Sequence, residues 1–515
     1  MADLSRRQLL AGALGAVGAA AVGACARGTE AVPANSPAVR RAEAARRTAG
    51  QRVVTARLEP RPVALDLGGP TVRTWAYGES VPGPLLRARA GDLLRVSVSN
   101  GLPVDTSVHW HGIALRNDMD GVPGVTQDPI RPGGTFTYEF TAPDPGTYFY
   151  HPHSGVQLDR GLYGVLLVDA PEEAGAYDVE WTVVLDDWVD GTGRTPDDVL
   201  RELTASSAGA GPMPGHDMGG MDHGSSGGMG HGSSGGMDHG SSGGMGESMT
   251  SDLLGGAGDV RYPHYLVNGR VPTSPPTLSA KPGQKARLRI VNAGSDTAFR
   301  VALGGHRLTV THTDGYPVVP SSTDALLVGM GERYDVEVTL GGGTFPLVAL
   351  AEGKSGRAFA VVRTGSGRAP AADVRPAELD RQPLLGTDLV AADDARLPRR
   401  RVDRTHDLVL SGSMAPYRWT INGRTFRDSK PLEVEQGQRV RVLFRNMSMM
   451  FHPMHVHGHT FALPDGGARK DTVVVRPMET VAVELDAVNP GQWMTHCHNI
   501  YHAETGMMIN LSYRA

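Results

Sequence analysis

The sequence predicts an all-β chain built of three consecutive β-sandwich domains. Three observations carry the prediction. Short runs of Val, Thr and Leu alternate with turns of Gly, Pro, Asp and Asn, the punctuation of strands rather than helices. Glycine and proline are plentiful, 67 and 36 among 515 residues. One motif also recurs three times, and the length suits two or three domains rather than one.

The recurring motif sets the domain plan. Pro84-Leu85-Leu86 leads to Gly91-Asp92 and a strand-like run closing at Asn100. Pro276-Thr277-Leu278 leads to Gly283-Gln284 and a run closing at Asn292, and Pro431-Leu432 to Gly437-Gln438 and a run closing at Asn446. Each copy reads as a turn followed by a strand of alternating character, the unit of a sandwich. The sandwiches are assigned to residues 51–170, 176–365 and 400–515. Residues 366–399, rich in Pro, Ala and Asp, read as a linker.

The first residues read as a targeting segment, residues 1–25. Ser5-Arg6-Arg7-Gln8-Leu9-Leu10 precedes an apolar Ala/Gly run to Val22, which resembles a twin-arginine export signal. A transmembrane anchor is the alternative, but the run is short for a bilayer. Val22-Gly23-Ala24-Cys25 resembles a bacterial lipobox, in which Cys25 carries lipid and holds the protein to the membrane; a plain signal-peptidase cut is the alternative. Residues 26–50 are then a flexible tether. The expected location is the cell envelope or periplasm, as a monomer. The net charge of −5 implies no nucleic-acid partner. The only cysteines are Cys25 and Cys497, so a lipid anchor and a metal ligand would leave no disulfide, unusual for an exported chain but suited to one exported already folded.

The chemistry concentrates near the C-terminus. His496-Cys497-His498 is followed by His502 and Met507. A cysteine with histidines and a more distant methionine is the ligand set of a blue copper electron-transfer site. Successive strand side chains point to opposite faces, so Cys497 can face one metal while His496 and His498 face another. The repeat locates the second centre. Counting from the closing Asn, copy one reaches His109 and His111, and copy three reaches His455 and His457 at the same offsets. The stretch Gly146 to His153, ending His151-Pro152-His153, superposes on Gly491 to His498. Copy two has Val301, Leu303, Val348 and Leu350 at these places, so the second domain reads as a spacer. Eight histidines from two domains suit three coppers; zinc is the alternative metal, but it is redox-silent.

These motifs, His109-Trp110-His111-Gly112, His151-Pro152-His153, His452-Pro453-Met454-His455-Val456-His457-Gly458 and His496-Cys497-His498 through His502 and Met507, resemble the four copper motifs of the three-domain multicopper oxidases. The likeness covers essentially the whole mature chain and is greatest to bacterial copper-resistance oxidases of the actinobacterial lipoprotein type. It implies cupredoxin (Greek-key) domains and four copper ions. It implies that Cys497, His452, His502 and Met507 hold the type 1 copper and His109 and His455 the type 2 copper. His111, His151 and His498 would hold one type 3 copper, and His153, His457 and His496 the other. The implied reaction passes single electrons from Cu(I), Fe(II) or phenols through Cys497, His496 and His498 to reduce O2 to water. Asp120 is the acid expected near the cluster, with a solvated turn as the alternative. Ala503 follows His502 where some relatives carry Glu, and Glu504, next in the chain, is the candidate substitute.

Between residues 205 and 258 the composition narrows to Gly, Ser, Met, His and Asp. Met221-Asp222-His223 opens a unit that recurs at Met229, with His231, and at Met237, with His239. Such a segment buries no core and is expected to be disordered. Thioether and imidazole together favour copper capture; a bland Gly/Ser loop is the alternative. Met447, Met449 and Met450 precede His452, where the family receives a cuprous substrate; packing is the alternative, and Ser448 stands where some relatives carry an acid. The leading reading is an exported oxidase of Cu(I) serving copper tolerance. A laccase for organic phenols is the alternative, and a non-enzymatic copper store or scaffold a third.

Overall fold

In each domain the repeated segment forms the same strand of the same sandwich. A computed structural model describes residues 30–170, 176–205 and 249–515. The repeat strands are Leu93–Ser99, Lys285–Asn292 and Arg439–Asn446. Each pairs in parallel with an earlier strand of its domain, Val53–Leu58, Val179–Trp188 and Arg404–Met414 respectively. The closing asparagine explains the repeat physically. The Asn100, Asn292 and Asn446 side chains each accept from the backbone N–H two residues on and donate both to a carbonyl of the following loop and to a remote one, that of Ile130, Val328 and Val475 respectively. A buried side-chain amide so satisfied fixes the turn that aims the next strand.

That next strand carries the ligand positions. It is His109–His111 in the first domain, Phe299–Leu303 in the second and His452–Val456 in the third. Its antiparallel neighbours are Gly146–His151, Thr344–Ala351 and Gln492–Cys497. The register sets His109 opposite His151 and His455 opposite His496. In the second domain Val301 and Leu303 are fully buried in the apolar core.

Two expectations for connecting segments need correction, and a third segment proves more closely packed than its composition suggests. Residues 26–50 were expected to be a flexible tether, yet from residue 30 the chain is docked. The helix Pro37–Arg46 starts with Ser36 capping Val39 N–H and a proline in its first turn. Its buried Glu43 accepts from the N–H and hydroxyl of Thr141 in the first domain. Val32 N–H donates to Tyr513 and Ala515 N–H to Glu30 at the end of the third domain. Local composition does not reveal such a clip, because its partners lie far along the chain. The linker 366–399 is likewise packed down: Leu379, Leu389, Ala391 and Ala395 are buried, and Leu384 and Val390 bond to second-domain backbone. The expected disordered insertion 205–258 has ordered ends. Ala205 ends the helix Pro196–Ala205, and residues 249–258 form a small two-stranded turn with Leu254 and Ala257 buried. Residues 1–29, including Arg6, Arg7 and Cys25, and residues 206–248, including Met221, His223, Met229, His231, Met237 and His239, lie outside the described residues.

Candidate metal centre

The His-x-His spacing works because the motifs lie on strands. In His109–His111 the two imidazoles share one face, while Trp110 points into the domain core against Tyr138, Phe140 and Tyr150. Val456 is buried between His455 and His457. The two domains meet through these faces. His109 stacks on His457 with ring centroids 3.8 Å apart, and His111 on His455 at 3.7 Å. Each stack joins a first-domain ring to a third-domain ring, as a local twofold requires.

One nitrogen of most of these imidazoles is fixed by a protein oxygen. His109 Nδ1 lies 2.8 Å from Asp120 O, His151 Nδ1 2.9 Å from Pro152 O, His455 Nδ1 2.9 Å from Asp471 O and His496 Nδ1 2.9 Å from Cys497 O. His457 Nδ1 is held by Asp120 Oδ2 at 2.9 Å. His111 is turned the other way, with Nε2 3.1 Å from both Asp471 Oδ1 and Thr472 Oγ1. Facing an acceptor, the held nitrogen carries the proton, and the opposite nitrogen keeps its lone pair.

Those opposite nitrogens converge. His109 Nε2, His111 Nδ1, His151 Nε2, His455 Nε2 and both ring nitrogens of His498 are buried and have no hydrogen-bond partner. His457 Nε2 and His496 Nε2 face each other at 3.0 Å, and His153 Nε2 is 3.4 Å from His496 Nε2. With their protons on Nδ1, two lone pairs meet with nothing between them, an arrangement that a cation relieves. Burial lowers the proton affinity of these rings: His111, His151, His153, His457 and His498 fall well below the usual range and His496 to about 3. Neutral imidazoles with free lone pairs are metal ligands. Sets within ligating reach are His109 with His455 and His457, His109 with His111 and His151, and His153 with His457 and His496.

A second set lies on the other face of the same strand. Cys497 Sγ is 3.6 Å from His452 Nδ1 and 3.6 Å from His502 Nδ1, and the two nitrogens are 3.1 Å apart. The far nitrogens are held by Ser448 Oγ and Asp259 Oδ2, each at 2.9 Å. Burial pushes the Cys497 thiol up, so it is protonated until a metal displaces the proton. Met507 is fully buried and its carbonyl accepts from Cys497 N–H. The donor set of one sulfur and two imidazoles fits copper.

The structure also places the remaining expected residues. Asp120 is fully buried and touches both His109 and His457. Glu504 is not bonded to either set; it lines a cavity of about 690 Å³ together with His153, and burial raises its carboxyl to about 7. Met447 and Met449 are exposed at 57% and 69%, beside the Ser448–His452 contact, and Met450 is half-buried.

The second domain is more than a spacer. Its Asp259 holds His502. Its buried Arg333 donates to both oxygens of Asp471, at 2.7 and 2.6 Å, and Asp471 in turn faces His111 and His455. Burial alone would raise the Asp471 carboxyl, but the Arg333 guanidinium holds it well below the usual carboxylate range. At Gly331, φ +81°, an added Cβ would stand 2.8 Å from the His498 ring and 3.1 Å from that of His111. Trp419 lies over His502, with centroids 4.0 Å apart. None of these was legible in the sequence, since each acts on a histidine remote in the chain.

Comparisons with known proteins agree with this geometry. Residues 62–173, 180–367 and 400–515 match three family models, each described as multicopper oxidase. The chain is 50% identical over 483 residues to the multicopper oxidase MmcO of Mycobacterium tuberculosis, covering 92% of this chain and 90% of that protein. It is 30% identical over 519 residues to a copper resistance protein A homolog of Pseudomonas syringae pv. tomato, covering 83% and 87%. Among solved structures, a multi-copper oxidase from Pseudomonas thermotolerans superposes with a TM-score of 0.67 at 28% identity, covering 90% of this chain and 100% of that one.

Proposed function

The chain belongs to the multicopper oxidase family, an oxidoreductase with four coppers on cupredoxin domains, and from that premise we propose that it oxidises Cu(I) outside the cytoplasm at the expense of O2. His452, Cys497, His502 and Met507 would hold the type 1 copper. His109 and His455 would hold the type 2 copper. His111, His151 and His498 would serve one type 3 copper, and His153, His457 and His496 the other. When bound, these coppers supply one-electron acceptance at the first site and four-electron reduction of O2 to water at the other three. The observation that carries the reading is the set of buried, partnerless ring nitrogens converging from two domains.

The protein's own groups then have definite tasks. Cys497 shares a strand with His496, which gives the two centres a covalent path of adjacent residues. Asp120 fixes the protons of His109 and His457 on Nδ1, keeping both Nε2 atoms free, and with Asp471 is one of two acids that touch the cluster. Glu504 is one of three acids, with Asp105 and Asp197, on the cavity that reaches His153.

Cu(I) as substrate is supported by the exposed thioethers of Met447 and Met449 next to the Ser448–His452 contact. The ordered end of the Met/His-rich insertion docks here too, with Gly256 N–H donating to Met449 O at 2.9 Å. Capture by the insertion would therefore deliver metal to the type 1 face. Export by the twin-arginine route and anchoring through Cys25 are supported by the residues of the leader alone.

Oxygen uptake by the copper-loaded protein, measured in parallel with Cu(I), Fe(II) and a phenol, tests the reading. Turnover is expected to be fastest with Cu(I). Phenol turnover without Cu(I) turnover would overturn the substrate assignment in favour of a laccase.

A further inference from the structure

Seven of the eight imidazoles assigned to the three-copper centre are buried, and His153 alone is partly exposed. It opens on the cavity of about 690 Å³ that is also lined by Met508, Glu504, Asp105, Asp197 and the buried Met494. The strand register says more about the two methionines. His496 pairs directly with Met508, and Met494 with Asn510, on antiparallel neighbours. Directly paired residues share a sheet face, and so do residues two apart on one strand. Met494, His496 and Met508 therefore lie on one face, with Met508 opposite His496 at a Cβ spacing of about 5 Å and Met494 on the diagonal.

Protons and O2 gain nothing from thioether sulfur, whereas Cu(I) binds it well. Among the described residues no Lys or Arg lines the cavity and three carboxylates do, of which Asp197 is paired with Arg160. We propose that this cavity is the loading port of the three-copper centre, through which Cu(I) passes from Met494 and Met508 to His153 and His496. The port is separate from the exposed methionines at the type 1 site. No electron moves: the cation changes ligands, from thioether to imidazole, and the carboxylates lining the cavity offset its charge. The proposal rests on the assignment of His153 and His496 to that centre.

The test follows copper entering the copper-free chain. Cu(I) is supplied anaerobically as its acetonitrile complex, and copper per chain is measured against time after rapid desalting. Donors outside the ligand shell shift metal binding by about 10–100-fold, so a Met494→Leu, Met508→Leu double variant is expected to load its last three coppers at least roughly tenfold more slowly. The blue site should fill at the parental rate, and the final stoichiometry should be unchanged. Equal loading rates would overturn the port, and so would a lower final stoichiometry, because a port acts on rate alone. A parent that never exceeds one copper would refute the three-copper assignment itself, and the proposal with it. A second measurement needs no variant. In the reduced holoenzyme with methyl-13C methionine, Ag(I), a redox-silent stand-in for Cu(I), should shift the Met494 and Met508 methyl signals. Shifts confined to Met447 and Met449 would overturn the proposal.

Discussion

Asp259 Oδ2 lies 2.9 Å from His502 Nε2, so a carboxylate from the second domain holds the third-domain histidine that we propose as a type 1 copper ligand. The same oxygen accepts from Tyr417 at 2.6 Å, which fixes the carboxylate in place. A carboxylate behind a ligating imidazole raises its basicity and orients the ring. Asp259→Asn is expected to weaken Cu(II) binding at the blue site by about 10–100-fold. Competition with a chelator, followed through the blue absorption, measures it; an unchanged affinity would mean that Asp259 only packs.

Cys497→Ser should abolish the blue colour and all oxidase activity, since no thiolate remains for the type 1 copper. The fold should survive, because the neighbouring imidazoles are held by Ser448 and Asp259 rather than by Cys497. Visible absorption and circular dichroism on the copper-loaded protein decide this. A colourless parent with full copper content would remove the type 1 assignment.

Arg333→Met leaves Asp471 buried without its cation. Breaking a buried pair this way costs about 3–5 kcal/mol. Because Asp471 also faces His111 and His455, the three-copper centre should lose metal while the blue site keeps its colour. Copper analysis alongside the visible spectrum separates the two; parallel loss of both would point to general unfolding instead.

Removing residues 212–246 takes out the Met/His repeats and keeps the ordered turn at 249–258. Blue absorption should be unchanged. Cu(I) oxidation at low copper should fall, and oxidation of bulky phenols should hold or rise. Paired steady-state assays against the parent check this, and identical kinetics on both substrates would reduce the insertion to a linker.

Glu43→Ala tests the N-terminal clip. It removes two hydrogen bonds from Thr141 and leaves those buried donors unpaired, a loss of about 1–3 kcal/mol. Thermal unfolding should shift down with no change in colour.

The sequence by itself determined the repeated sandwich, the family and the residues of the copper motifs. It could do so because these signals are local: a turn, a closing asparagine, and histidines two apart on a strand that must share a face. It could not show that the second domain, whose own ligand positions are the apolar Val301 and Leu303, reaches the metal centres through Asp259, Gly331 and Arg333. Nor could it show that residues 30–50 clip the first domain to the last strand, or that His153 opens on a cavity beside Met494 and Met508. These contacts join residues far apart in the chain, and their energies depend on burial and direction, which exist only once the three domains have closed on one another.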